Sequence, residues 1–447
     1  MKKIRGRYSK FIRPITLLID ITILNLFAYY LLPEFSGKIW FHLFISLSWL
    51  LSSWVTMYYD VFRFTRIVKI FEKIFKQFVL QFVLYSAYNG FFSRFAEPKD
   101  LILYGVFTMI TISVIKISIF YSLKIFRSQY GGNYRRVVII GKGKEVKQLQ
   151  DFFNKKTEYG YHLVGTFKDE AVDIQDILDY VEQEKIDEIY ISLYLVSTKS
   201  FGKIVDFADN NLKVLKYIPK DDELIGDNYN TEYYDLIPII PRRKIPLDSQ
   251  YNRLVKRTFD LVFSSIVIVF LLSWLIPLIS ILIKLESRGP VFFKQLRNGM
   301  NNSEFTCYKF RSMYRNEACD DQQASKGDAR ITRLGKFIRK TSIDELPQFF
   351  NVFLGDMSVV GPRPHMVMHT QMYAKKINKF MVRHLIKPGI TGMAQTHGYR
   401  GEVENDRDII NRVKYDIFYI ENWSVFLDLK IIYLTIYNVF KGEDKAY

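Results

Sequence analysis

Residues 259–285 read FDLVFSSIVIVFLLSWLIPLISILIKL, an apolar run with a proline, Pro277, inside it. A bilayer crossing needs about 20 mostly apolar residues, so length alone predicts a span. The flanks predict otherwise. Lys256 and Arg257 stand before the run, and Lys284, Arg288, Lys294 and Arg297 stand at its end and after it. Cations on both sides favour two cytoplasmic ends. Pro277 removes a backbone hydrogen bond and kinks a helix, and Ser273, one turn earlier, offers a hydroxyl to a carbonyl freed at the break. Together these predict a re-entrant helix over 256–286 that dips into the inner leaflet and returns. The competing reading is an ordinary kinked span, which would place everything after it outside the cell.

Four further apolar segments lie toward the N-terminus, at about 12–32, 39–59, 75–95 and 101–126. Lys2, Lys3, Arg5, Arg7 and Lys10 precede the first, Arg63, Arg66, Lys69, Lys73 and Lys76 separate the second from the third, and Lys124, Arg127, Arg135 and Arg136 follow the fourth. The other two connections carry one lysine each, so the positive-inside rule predicts four crossings with both ends of the bundle in the cytoplasm, over 1–130. The first segment is too long for a removable signal peptide and lacks a small-residue cleavage site. Asp20 and Lys116 fall within spans, where pairing inside the bundle is the favoured expectation over a functional role. The net charge of +17 would suit nucleic acid, but 49% hydrophobic and 16% aromatic content turn the expectation to membrane lipid, with no nucleic acid. Two cysteines, Cys307 and Cys319, make no disulfide framework.

From 131 to 245 short β-branched runs (Val137–Ile140, Leu163–Phe167, Glu188–Ser192, Leu212–Ile218) alternate with amphipathic stretches, the rhythm of a parallel α/β sheet. The first strand enters Gly141-Lys142-Gly143-Lys144-Glu145-Val146, the start of a dinucleotide-binding turn in which Val146 replaces the third glycine. A degenerate, structural or regulatory Rossmann-like module is therefore expected. Pro238–Pro246 reads as a linker.

The third part, 246–447, carries Thr341-Ser342-Ile343-Asp344-Glu345-Leu346-Pro347 in a basic setting. Ser342 and Glu345 have the spacing of a capping box, which explains Glu345 and leaves Asp344 without a task. A helix is predicted from Ser342 to Leu354, stopped by Gly355, with Pro347 distorting its start. An ionised Asp at such a place can attack phosphorus, while its neighbour holds a metal or moves a proton. Phe305–Met313 alternates like a strand and puts Lys309 and Arg311 on one face. With Arg363 between Pro362 and Pro364, these cations suit a pyrophosphate. Residues 316–330 are polar and charged and read equally as a mobile loop that closes over substrate or as a passive insertion. His365, His369, His384 and His397 lack a compact metal-ligand spacing. Val425–Phe440 has Leu429, Ile432 and Ile436 on one face and reads equally as an interfacial or a core helix.

From about Arg253 to Asp428 the chain resembles the bacterial polyprenyl-phosphate hexose-1-phosphate transferases, the monotopic phosphoglycosyl transferases. The resemblance rests on Lys256-Arg257-Thr258-Phe259-Asp260, Gly289-Pro290-Val291-Phe292, Lys309–Met313, Asp344–Gln348, Asn351-Val352, Gly355–Ser358, Gly361–Pro364, Lys387–Gly392, and Trp423 to Lys430, in that order. The preceding bundle and Rossmann-like part resemble the long form of the family. The implied fold is a four-helix transmembrane bundle, an α/β Rossmann-like domain and an α+β catalytic domain with a re-entrant membrane helix. The implied reaction runs at the cytoplasmic face of the bacterial inner membrane. There Asp344 takes the sugar phosphate from a UDP-sugar and releases UMP, then passes it to undecaprenyl phosphate to begin exopolysaccharide, capsule or O-antigen assembly. Glu345 would assist, with Mg²⁺ held by Asp344 and Glu345. Lys309, Arg311 and Arg363, flanked by Pro362 and Pro364, would meet phosphate, and Pro277 would break the membrane helix. Family members often place a serine directly before that proline, whereas this chain has Leu275-Ile276-Pro277. Gly398–Glu402, Arg412 and Asp416 look like the glucose-transferring branch. A homo-oligomer is compatible with the sequence. The rival readings are an inactive membrane scaffold of a polysaccharide assembly complex and an NAD-dependent sugar-nucleotide enzyme, against which Val146 counts.

Overall fold

A computed structural model of the chain describes residues 9–59, 61, 65, 67–91, 97–130, 132, 134–168, 173–192, 198–219, 231–314, 328–399, 401 and 405–441. Cys319, Glu402 and most of the 316–330 loop lie outside them. By contacts the chain forms two compact units, Met1–Val196 with Lys216–Pro241, and Ser197–Leu215 with Arg242–Tyr447. The excursion 197–215 thus crosses the boundary expected at 245.

In the first unit all four apolar segments are helical: α1 (Ser9–Leu31), α2 (Ile39–Val55), α3 (Ile67–Phe91) and α4 (Pro98–Tyr130). Two of the four, over Ile12–Leu31 and Pro98–Tyr130, are long and apolar enough to cross a membrane; α2 is apolar but shorter. The bundle buries an apolar and aromatic core, with Leu24, Ile45, Trp49, Ile74 and Ile112 in it, and is apolar outside as well. Leu18, Leu47, Val55, Phe75 and Ile110 are exposed, while a buried ladder joins α2 to α3. In it Gln81 Nε2 donates to Ser48 Oγ (2.6 Å), Ser52 Oγ to Gln81 Oε1 (2.9 Å), Gln77 Nε2 to Ser52 Oγ (2.8 Å) and Thr56 Oγ1 to Gln77 Oε1 (2.6 Å). Apolar solvent outside and hydrogen-bonded small and amide residues inside is the arrangement that lipid favours. Asp20 accepts from Tyr59 Oη (2.6 Å) and Lys116 donates to the Tyr58 carbonyl (3.0 Å), so both of these charged residues of the apolar helices are partnered within the bundle.

The α/β part follows with β1 (Arg135–Ile140), α5 (Lys144–Lys155), β2 (Tyr161–Phe167), α6 (Ile174–Gln183), β3 (Glu188–Ser192), α7 (Thr198–Asn210), β4 (Val214–Ile218), β5 (Glu232–Tyr234) and β6 (Ile237–Pro241). The sheet order is β2-β1-β3-β4-β6-β5, with β1 parallel to β2 and β3, and β6 antiparallel to β4 and β5. The stretch expected as a linker is therefore partly strand. Burial of Ile237 and Ile239 on one face outweighs the prolines between and after them. Gly141 and Gly143 have φ of 125° and 136°, which only glycine adopts easily. Val146 is buried in the core where a third glycine would stand, and the Glu145 carboxylate lies against Gly143. An acidic group at that turn opposes a phosphate.

The second unit begins with one long helix, α8 (Gln250–Val267), a π-helical segment (Ile268–Leu272) and α9 (Ser273–Glu286), the most apolar helix of the described chain. Ser273 N–H reaches back five residues to Ile268 O, and its hydroxyl bonds Val269 O at 2.6 Å, a turn before the Ser273 carbonyl that Pro277 deprives of its i+4 donor, so the expected compensation at the break is not what this hydroxyl supplies. The remaining elements are the antiparallel hairpin β7 (Phe292–Asn298) and β8 (Glu304–Phe310), then α10 (Arg333–Lys340), α11 (Gln348–Leu354), β9 (Ser358–Val360), α12 (Val367–Lys376), β10 (Gly389–Thr391, parallel to β9), α13 (Met393–Thr396), α14 (Asp406–Glu421) and α15 (Val425–Lys441). Buried polar ties hold the long helix to this core. Lys256 Nζ meets Asp428 (2.7 Å), which also accepts from Tyr419 Oη (2.7 Å) and Trp423 Nε1 (3.1 Å); Asp260 accepts from Ser358 Oγ and Val359 N, both at 3.0 Å. On α15 Leu429 and Ile436 are exposed and Ile431 is buried, so its packing face lies elsewhere than the stripe read from sequence. Within this unit α7 is held by Asp209, which pairs with Arg242 (3.0 Å) and Arg243 (2.8 Å).

Candidate active site

The two adjacent carboxylates do not begin a helix. Ser342 has φ of 58°, its side chain makes no capping bond, and Ile343–Glu345 is a single 3-10 turn. The left-handed residue swings the chain so that Glu345 N–H bonds the Ser342 carbonyl instead (3.2 Å), which removes the capping-box reading. Pro347 then serves as the entry to α11, where its missing N–H is harmless, and Gly355 stops that helix with φ of 101° as expected. Ile343 and Leu346 pack against Leu275, Ile279 and Ile283 of α9, so the turn is fastened to the membrane-type helix by its apolar residues.

Both residues of the pair are buried, yet their surroundings differ. Glu345 accepts from Lys309 Nζ (2.7 Å) and, through both oxygens, from Arg363 (2.7 and 3.2 Å). Planar two-point pairing of this kind fixes orientation as well as charge. Among the described residues no hydrogen bond reaches the Asp344 carboxylate. Burial pushes Asp344 up to about 6; Lys309 pulls against that shift and the neighbouring Glu345 adds to it. The pair is thus an engaged carboxylate beside a free one.

Backbone ties set these groups. Asn351 on α11 donates from Nδ2 to Thr306 O (2.7 Å) and accepts from Tyr308 N (3.0 Å), joining the edge of β8, with Lys309 on it, to the helix that follows the pair. Arg363 rides on a strap, Gly361–Pro364, in which Gly361 N bonds Thr391 O and Gly389 N bonds Pro362 O, both at 2.9 Å. A Cβ on Gly389 would collide with the Gly361 backbone, so the close approach demands glycine. Arg383 completes the support, donating to Arg363 O (3.1 Å), Asp416 (2.6 Å) and His365 Nε2 (2.8 Å). An arginine has no acceptor, so His365 carries its proton on Nδ1. Burial and the nearby Arg383, Arg412 and Arg297 hold it neutral, well below the usual histidine range. Burial, Arg363 and Arg383 push Arg412 down to about 10.

Arg311 goes elsewhere. Its guanidinium donates to the carbonyls of Ser287 (2.7 Å) and Arg288 (3.0 Å), locking the corner between α9 and β7, so it is separated from the phosphate-facing role expected beside Lys309. The structure brings together Asp344, Glu345, Lys309, Arg363, Pro362 and Pro364, while Pro277 lies in α9. Arg383 was not legible, because it sits in an irregular 3-10 run (Phe380–Leu385) without periodicity. Among the described residues, Lys309, Arg339 and Arg363 act on Asp344, and Arg383, Arg412 and Arg297 gather around His365 on the same strap as Arg363. Such an excess of cations is complementary to a multiply charged anion. No group of three or more metal-ligating side chains occurs among the described residues. A Mg²⁺ ion, which typically takes one or two carboxylates plus substrate phosphates, would fit here only with the substrate's oxygens.

The model of the bacterial sugar transferase family matches residues 251–442, and that of a CoA-binding domain matches residues 63–219. A UDP-glucose:undecaprenyl-phosphate glucose-1-phosphate transferase of Klebsiella pneumoniae is 36% identical over 381 residues, 83% of this chain and 81% of that protein. The chain belongs to the bacterial sugar transferase family. It is a sugar transferase by that membership, and a membrane protein by its apolar helices. The Escherichia coli (strain K12) protein of the same name is 36% identical over 70% of this chain and 69% of its own length. A UDP-N-acetylgalactosamine-undecaprenyl-phosphate N-acetylgalactosaminephosphotransferase of Aeromonas hydrophila is 43% identical over 198 residues, 44% of this chain and 46% of its own. That higher identity covers 198 residues, against 381 for the Klebsiella pneumoniae protein, so the two figures describe different stretches of the chain. The CoA-binding match begins before the sheet, ahead of α3.

Proposed function

We propose that this transferase moves glucose-1-phosphate from UDP-glucose to undecaprenyl phosphate as the first step of exopolysaccharide, capsule or O-antigen synthesis. The observation that carries the mechanism is the inequality of the pair: Glu345 is saturated by Lys309 and Arg363, and Asp344 is buried beside them without a described partner. Ionised Asp344 attacks the sugar-bearing phosphorus, the bond to the bridging oxygen breaks, and UMP leaves with that electron pair. A phosphate oxygen of undecaprenyl phosphate then attacks the same phosphorus and displaces the carboxylate, which restores Asp344 and yields the lipid diphosphosugar. Glu345 holds Lys309 and Arg363 where charge grows on the equatorial oxygens. Mg²⁺ would be held by Asp344 and Glu345 together with the donor's phosphates and would offset their charge.

The topology proposed with this chemistry has four N-terminal crossings over 1–130, a Rossmann-like part over 131–245 and the catalytic part over 246–447. The helix over 256–286 re-enters the inner leaflet, and the site faces the cytoplasm of the bacterial inner membrane. Cations at both ends of the helix, the π-helical segment and Pro277 support it. Exposed Phe426, Tyr433 and Tyr437 on α15 suit an interfacial position beside it. The inactive-scaffold reading gains nothing from a site with all its charged groups in place.

The test uses purified protein with Mg²⁺, UDP-glucose or UDP-N-acetylgalactosamine, and undecaprenyl phosphate in nanodiscs. Without acceptor, intact-mass analysis should find a hexose phosphate on the wild type and none on Asp344→Asn. An unmodified but fully active wild type would remove the covalent step.

A further inference from the structure

A groove of about 610 Å³ lies on the second half of the membrane-type helix. One wall is Pro277, Ser280, Ile281 and Lys284, a single stripe of α9; the other includes Val291 and Phe292 at the start of β7. The opposite stripe of α9, with Leu275, Ile279 and Ile283, is buried against Ile343 and Leu346, the neighbours of the carboxylate pair. The groove therefore shares a helix with the site and lies on its other side. It also shares a hairpin. Phe292 and Phe293 pair with Phe310 and Lys309 across β7 and β8, whose backbones run about 5 Å apart. A molecule in the groove is thus one strand away from the cation that holds Glu345.

We propose that this groove seats the phosphate-proximal isoprene units of the lipid acceptor, with Lys284 meeting its phosphate on the way to Asp344. The inference rests on the acceptor reading given above. Three features select this occupant. The lining is apolar apart from Ser280 and one cation, which matches a hydrocarbon chain ending in a single anionic group. Leu278, Ile281 and Leu285 are exposed on α9, so the groove opens onto the surface that meets lipid and a chain can enter sideways. The Ser287–Arg288 corner is locked by Arg311, and Glu286 accepts from Leu334 N (3.1 Å), so the walls are held apart without an occupant.

The experiment measures steady-state turnover of full-length protein in phospholipid nanodiscs, varying UDP-glucose and the mole fraction of undecaprenyl phosphate separately. Ser280→Trp, which fills the groove, should lower kcat/KM for undecaprenyl phosphate about tenfold or more, and Lys284→Gln should lower it about threefold or more. In both, kcat/KM for UDP-glucose should stay within about twofold of wild type, which also reports an intact fold. Unchanged acceptor kcat/KM would mean that ordinary phospholipid chains fill the groove and would overturn the proposal. Equal losses for both substrates would overturn it as well. A wild type that releases UMP from UDP-glucose yet does not transfer to undecaprenyl phosphate would refute the acceptor reading itself, a separate result from either variant's behaviour.

Discussion

At the scale of residues, the pair Asp344-Glu345 divides its labour through partners rather than through identity. Folding raises Asp344 from near 3.9 in an unfolded chain to about 6. The fold therefore favours its protonated form, and the ionised carboxylate weighs against stability above about pH 6, a penalty that fades as pH falls toward the unfolded value. Two outcomes are expected. kcat/KM for UDP-glucose should fall as pH drops through about 6, since attack needs the anion of the free enzyme. Asp344→Asn should release no UMP and yet melt higher than wild type above pH 7, by on the order of 3 kcal/mol, in a calorimetric scan. A lower melting temperature would show that the carboxylate has a stabilising partner. Arg363→Lys keeps the charge but loses the two-point contact with Glu345, and kcat should drop about tenfold to a hundredfold. Asp344, Glu345, Lys309 and Arg363 were legible in the sequence, since carboxylates among spaced cations stand out. Ser342 was misread because S-x-x-E spacing carries no information about a positive φ, and Arg383 had no pattern to betray it.

Among the elements, short supports decide where long ones end. Asn351 satisfies both an N–H and a C=O on the edge of β8, so Asn351→Ala leaves a buried donor and acceptor unmet at about 1–3 kcal/mol. Denaturant titration should find that loss, and kcat should fall with it, since Lys309 rides on the same strand. Arg383→Met leaves Asp416 buried and unpaired, with an expected loss of about 3–5 kcal/mol. Asp416→Asn in the same background should recover part of it. Helices and the parallel strands were readable because apolar period and β-branching are local. The strand β6 was hidden by its prolines, because its partners β5, opposite Ile237 and Ile239, and β4, opposite Ile240 and Pro241, are what make it a strand. The inward face of α15 was hidden too, since Asp428 points into the core, where Lys256 comes from far along the chain to join the nearby Tyr419 and Trp423.

For the molecule as a whole, topology is the open quantity with the clearest measurement. Arg253 and Arg288 lie at the two ends of the long helix and both are exposed. Arg253→Cys and Arg288→Cys should be labelled by an impermeant maleimide from the same side of sealed vesicles, and labelling from opposite sides would replace the re-entrant helix with a span. The excursion 197–215 bears on how such proteins exchange parts. Its helix α7 carries Asp209 to Arg242 and Arg243, and Asn210 Oδ1 accepts from Lys379 N at 2.8 Å, all within the unit that holds the transferase chemistry. A chimera spliced at residue 245 would therefore import a foreign clamp for its own catalytic half. Recombination between relatives should succeed when residues 197–215 travel with that half, so the seam for exchanging parts runs on either side of this helix and not at the end of the sheet.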